Sequence, residues 1–157
     1  MRKELISTVK QETQPPRAKW LSLDAIAIVQ VTSEQQGYPI ELALFDDNEK
    51  GWRASSEGTQ TIRFVFDDPQ KLSRIWLVFE DTENTRTQEF VLRWSPDNGR
   101  SLREIVRQQW NFSPPDSVRE TEDYAVALTG VTMLELVVIP DRSGGKARAS
   151  LAKLRVA

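Results

Sequence analysis

From Asp24 onward the apolar residues fall into short runs of period two. Ile26, Ile28, Val29 and Val31 open the series, and Ile40, Leu42 and Leu44 follow. Ile62, Phe64 and Phe66 alternate with Arg63, Val65 and Asp67; Ile75, Leu77 and Phe79 come next, with Trp76 and Val78 between them. Phe90, Leu92 and Trp94 alternate with Glu89, Val91 and Arg93. Val106, Gln108, Trp110 and Phe112 share one face of a further run, opposite Arg107, Gln109 and Asn111. Tyr124, Val126 and Leu128, the run Val131 to Ile139, and Ala149 to Val156 complete the set. Successive side chains of a strand point to opposite faces, so each run predicts a half-buried antiparallel strand.

The connections carry turn chemistry. Ser33 to Pro39 is polar and contains Gly37, and Asp67-Asp68-Pro69 separates two of the apolar runs. Ser95-Pro96-Asp97-Asn98-Gly99 and Ser113-Pro114-Pro115-Asp116 are turns, and Asp141 to Lys146 contains Gly144-Gly145. No segment after Asp24 sustains a helical period beyond two turns. About nine strands in one domain must bury their apolar faces against one another. The predicted class is all-β, an antiparallel two-sheet β-sandwich of jelly-roll type. The domain is placed at residues 21–157, behind an N-terminal tail or short helix at residues 1–20 that Pro15-Pro16 brings to an end.

Composition narrows the chemistry. The chain of 157 residues contains no Cys and no His. Disulfides, thiolate nucleophiles, zinc fingers and His-based catalytic triads are therefore absent. Any metal would need oxygen ligands, which favours Ca²⁺ or Mg²⁺. The net charge of −2 argues against nucleic-acid binding by bulk electrostatics. No run approaches the roughly 18 apolar residues of a membrane span. Met1 to Gln14 is polar, without the apolar segment of a secretory signal, so the expected compartment is the cytoplasm.

Several segments resemble a known family. Val31-Thr32-Ser33-Glu34, then Leu42 to Asp46, then Gly51-Trp52-Arg53-Ala54 is similar to the opening of discoidin, or coagulation factor V/VIII type C, domains. Gln60 to Phe66, Leu72 to Leu77 and the closing Ala149 to Arg155 resemble later strands of the same family. The resemblance implies a galactose-binding-like β-sandwich whose role is non-catalytic binding of carbohydrate or glycoconjugate through loops at one end. It also implies a structural Ca²⁺ in the acidic turn, with Asp46, Asp47 and Asn48 as ligands. A solvated turn whose side chains cap their own backbone is the other reading of those residues.

Candidate ligand contacts are Trp52, Arg53, Arg107, Gln109 and Asn111. An aromatic face stacks on a sugar ring, and planar guanidinium and amide groups bond its hydroxyls. Adjacent strand residues point apart, so Trp52 with Arg53, or Trp110 with Asn111, act together only at a strand end or bulge. Trp76, Trp94 and Trp110 are expected in the core, and Trp20 at the surface. Glu120 and Glu122 share a face and are expected to pair with Arg103 or Arg107; a glycosidase acid pair is the alternative. Ser143-Gly144-Gly145-Lys146 lacks the spacing of a phosphate loop and reads as a hairpin. A binder is expected rather than an enzyme, with an intracellular protein-interaction or homo-oligomerisation module as the second reading.

Overall fold

The structure, a computed structural model, describes residues 1–2, 15–45 and 50–157. Eight strands and two single-turn helices are found among them: α1 (Leu23–Ile26), β1 (Ala27–Val31), α2 (Glu41–Leu44), β2 (Trp52–Glu57), β3 (Gln60–Glu80), β4 (Arg86–Ser95), β5 (Arg103–Phe112), β6 (Arg119–Ile139), β7 (Arg148–Leu151) and β8 (Lys153–Val156). All sheet pairings are antiparallel. No described helix is long and apolar enough to cross a membrane.

β3 and β6, each 21 residues long, form one continuous antiparallel ladder from Gln60↔Val138 to Glu80↔Arg119. Register shifts between Val65, Gln70, Leu72 and Arg74 bend it in the middle. Past the bend the two strands have different neighbours. The first half of β3 pairs with β1 and the second half with β8. β4 pairs only with the second half of β6, and β5 pairs with β4. One ladder thus supplies strands to both layers of the sandwich. β2 and β7 form a separate two-stranded sheet.

The layers meet through the apolar faces that the alternation predicts. Ile62, Phe64, Phe90, Leu92, Leu134, Leu136 and Val138 come from one layer, and Ile75, Leu77, Phe79, Leu154 and Val156 from the other; all are fully buried. Phe79 stacks on Phe90 across the gap, ring centroids 5.1 Å apart, and Tyr124 meets Phe90 edge-on at 6.4 Å.

Four expected elements come out differently. Ile40, Leu42 and Leu44 lie at α2, whose single turn buries Ala43 and Leu44 instead of adding a strand. Asp67-Asp68-Pro69 does not separate two strands: the segment sits at the bend of β3, where the irregular register spares Pro69 a ladder donor it lacks. Tyr124 to Leu128 and Val131 to Ile139 are likewise one strand, β6, with Gly130 at φ +68° between them. In contrast, the run from Ala149 to Val156 divides. β7 pairs with β2, then the Ala152 N–H donates to Val78 O at 2.9 Å and β8 continues on β3. Trp20 is half-buried: its Nε1–H donates to Pro16 O at 3.0 Å and Arg74 lies over the ring at 5.6 Å.

Gly51 fixes the start of β2 against this switch. It has φ +70°, and a Cβ there would stand 2.5 Å from Leu151 O and 2.8 Å from Ala152 Cα. Both the left-handed backbone and the lack of space demand glycine. Gly51→Ala is expected to cost about 2–5 kcal/mol, summing backbone and overpacking penalties. Gly144→Ala, with the same φ sign and open space around it, should cost only about 1–2 kcal/mol. Urea unfolding of the two variants side by side checks the difference.

Candidate functional site

One end of the sandwich is built from the segment after β1, the start of β2, the β3–β4 loop and the β6–β7 loop. These enclose a groove of about 560 Å³ lined by Gln35, Arg53, Asn84, Thr85, Arg86, Asp141, Lys146, Ala147 and Arg148. A second groove of about 240 Å³ shares Arg53 and Asn84 and runs along Lys50, Trp52, Glu80 to Glu83 and Ser150 to Ala152.

Backbone and side-chain hydrogen bonds hold the walls. Gln35 N–H donates to Arg53 O at 2.8 Å, and Arg53 N–H donates to Tyr38 O at 3.2 Å. The Arg53 guanidinium lies 4.4 Å from the Tyr38 ring centroid, a cation–π contact that orients it at the surface. Asp81 organises the β3–β4 loop by accepting the N–H groups of Glu83 and Asn84, both at 2.9 Å. Burial works to raise the Asp81 carboxyl, but the Arg86 guanidinium and these two N–H donors outweigh it and hold the group below its ordinary value. On the other wall Asp141 accepts from Ser143 N–H at 3.1 Å and Ser143 Oγ–H at 2.7 Å.

Arg86 forms the floor and ties the loops to the core. Its Nε donates to Asp81 at 2.7 Å, and Nη1 donates to Gln88 Oε1 at 3.1 Å and Pro140 O at 2.7 Å. The guanidinium lies 4.6 Å from the Phe112 ring centroid. Gln88 passes the network across the sandwich by donating from Nε2 to Glu120 Oε1 at 3.1 Å.

Glu120 and Glu122 therefore do not pair with Arg103 or Arg107. The ladder sets Phe79 opposite Glu120 and Leu77 opposite Glu122, so both carboxyls share the inward face of β6. Glu120 is fully buried, and Tyr124 Oη–H donates to Glu122 Oε2 at 3.0 Å. Arg107 bonds Glu89 at 3.1 Å and Glu104 at 3.0 Å instead, and Arg103 lies over Trp94 at 5.0 Å. Burial first, and then the neighbouring Glu122 carboxylate, push the Glu120 carboxyl up to about 8.

The sequence-predicted ligand contacts divide between places. Trp52 is 1% exposed, and its Nε1–H donates to Ser33 O at 3.0 Å, so the indole is a core group under the loops. Arg53, next to it, is exposed and lines the loop groove. Arg107, Gln109 and Asn111 do share the outer face of β5, but the structure does not bring them to Arg53. Gln109 donates to Glu89 Oε1 at 3.2 Å and Asn111 accepts from Thr87 Oγ1 at 2.8 Å. Gln109 and Asn111 line a separate edge groove of about 470 Å³ with Gln108, Trp110 and Ser117. Asp46, Asp47 and Asn48 lie outside the described residues. Among the described residues no three metal-ligating side chains cluster. Sequence reasoning passed over Gln35, Asn84 and Arg148. Arg148 had one signal, a run of cations with Arg142 and Lys146 in and beside a glycine-rich turn; Gln35 and Asn84 had none.

No family model and no curated protein matches the sequence. Solved structures do match it. The chain is 16% identical to a family 32 carbohydrate-binding module from C. perfringens NanJ in complex with galactose, covering 87% of this chain and 96% of that one with a TM-score of 0.61. It is 18% identical to a pectin-binding carbohydrate-binding module, over 83% and 89% of the two chains, TM-score 0.58. It is 18% identical to the family 32 module of AlyQ in complex with 4,5-unsaturated mannuronic acid, over 84% and 95%, TM-score 0.59. The chain has the galactose-binding-like β-sandwich fold of these modules, as the resemblance implies.

Two outcomes follow from the polar network. The folded Glu120 carboxyl keeps its proton up to about 8, whereas the unfolded one loses it near the ordinary 4.5. The associated stability is complete below the ordinary value and is lost as the pH rises through the folded one. Glu120→Gln should flatten this loss, so that the variant gains on the parent as the pH rises from 5 to 8 in urea titrations. Arg86→Ala leaves Asp81, Gln88 and Pro140 O without their buried partner and should cost about 3–5 kcal/mol. Arg86→Lys should restore little of it, because one ammonium cannot reproduce the planar fork.

Proposed function

We propose that this chain is a non-catalytic carbohydrate-binding module that takes its ligand in the loop groove around Arg53. The observation that carries the reading is the groove itself, where Arg53, Arg148, Gln35 and Asn84 present planar hydrogen-bonding groups at one end of the sandwich. Such groups match the paired hydroxyls of a sugar ring, and a shallow site suits a ligand that stays hydrated on one side. Structures that share the fold were solved with galactose and with an unsaturated uronic acid. The fold alone does not assign the ligand; the residues of the groove are what supports this reading.

The acidic groups support binding over catalysis. The Glu120 and Glu122 carboxyls face the interior and are not among the residues that line the loop groove. Among the described residues the carboxylate that does line it, Asp141, is engaged by Ser143.

Calorimetric titration with a panel of galactose- and uronate-based oligosaccharides tests the proposal. Binding is expected for at least one of them, and Arg53→Ala should weaken it about tenfold or more, the loss of about 1.4 kcal/mol. The melting temperature should change little, because Arg53 is exposed and its side chain forms no ion pair among the described residues. No heat from any saccharide across a broad glycan panel would refute the reading.

A further inference from the structure

Most arginines on the sheet faces come with carboxylates; Arg103 instead lies over Trp94. Arg107 and Arg142 share Glu89, Arg63 and Arg93 share Glu135, and Arg74 takes Asp123 at 2.6 Å. The loop groove departs from this rule. Arg53, Lys146 and Arg148 all line it, and among the described residues none of the three forms an ion pair. Glu57 stands opposite Arg148 in the β2–β7 ladder and makes no ion pair with it. Arg86, on the floor, is neutralised by Asp81 at 2.7 Å. Among the described residues Asp141 is the only acid that lines this groove, so their lining keeps a surplus of positive charge in a chain whose net charge is −2.

Three cations in one concavity repel one another, and a local positive field raises the concentration of anions there. A neutral sugar would leave that repulsion in place. An anionic sugar relieves it, and a carboxylate or sulfate accepts two parallel N–H bonds from a guanidinium. Arg53 is already oriented by the Tyr38 ring, which lowers the cost of holding its fork still.

We infer that the groove selects an anionic saccharide, its charge carried by a uronic carboxylate or a sulfate ester, with Lys146 and Arg148 as the residues that set this preference. The inference rests on the carbohydrate-binding reading above and goes beyond it by naming the ligand class.

The test is calorimetry with four oligosaccharides of matched length: a galacturonate oligomer, its methyl ester, a neutral galactan and a sulfated galactan. The methyl ester keeps the uronate skeleton and removes the charge. At least one anionic ligand should bind ten times more tightly than its neutral counterpart, and the advantage should shrink from 50 to 300 mM salt. The galacturonate arm against the sulfated arm identifies which anion is preferred. Lys146→Ala/Arg148→Ala should abolish the tenfold advantage, because the hydrogen bonds lost with Arg148 weaken neutral and anionic ligands alike whereas the lost charge weakens only the anionic ones. Both residues are exposed, so the variant should fold, as circular dichroism can verify; Arg148→Lys should recover part of the effect. Neutral ligands binding as well as anionic ones, or a double variant that keeps its preference, would overturn the inference and leave the carbohydrate reading intact. Silence from all four ligands would overturn the inference, whereas the carbohydrate reading falls only if the broad glycan panel is silent too.

Discussion

The bend in the β3–β6 ladder is the constraint on which the remaining architecture depends. An unbent pair of 21-residue strands would belong to a single sheet, with its apolar face uncovered. The irregular register between Val65 and Arg74 redirects the pair. The residues before and after it then face each other, and the backbone hydrogen bonds continue through both layers. Phe79 reaches Phe90 because of that bend, and β1, β4 and β8 each attach to the half whose edge is free to take them. Pro69 and the two aspartates before it suit the irregular segment for the same reason that they would suit a turn: a missing N–H and short polar side chains are tolerated where ladder bonds lapse.

A buried polar chain runs through the same core and links it to the loops. Arg86 joins Asp81, Gln88 and the Pro140 carbonyl, and Gln88 reaches Glu120 in the opposite layer. Arg86 takes Asp81 after β3 and the Pro140 carbonyl after β6 as partners, so the network specifies how the β3–β4 and β6–β7 loops sit on the sandwich. The groove walls inherit that order. The rigid floor and the exposed cations above it are two parts of one arrangement, since Arg86 is committed to the protein and Arg53, Lys146 and Arg148 are left facing solvent.

Much of the site lay beyond the reach of sequence reasoning, and particular residues show why. Arg107, Gln109 and Asn111 share a face, as alternation requires, yet that face belongs to a strand whose polar groups are consumed by Glu89, Glu104 and Thr87. Arg53 was legible because it follows the Trp52 junction. Asn84 and Arg148, from distant points in the chain, were not, because nothing local says that two loops close on the same groove. Glu120 and Glu122 illustrate the same limit. Their spacing placed them together, but only the β3 register showed that they stand opposite Phe79 and Leu77, with Glu120 fully buried.

The sequence by itself determined the alternation of apolar and polar positions, and with it the strands, the all-β class and most of the core. These follow from the period-two geometry of each strand, which is a local property. It also determined which chemistry is absent, since a chain with neither Cys nor His has no thiolate or imidazole to offer. Tertiary structure decided the rest. It joined runs that Asp67-Asp68-Pro69 and Gly130 divide on paper, split the C-terminal run between two sheets, and turned Ile40 to Leu44 into a helical turn. It also decided which charges are neutralised and which are left for a ligand, because ion pairing depends on distances between segments far apart in the chain.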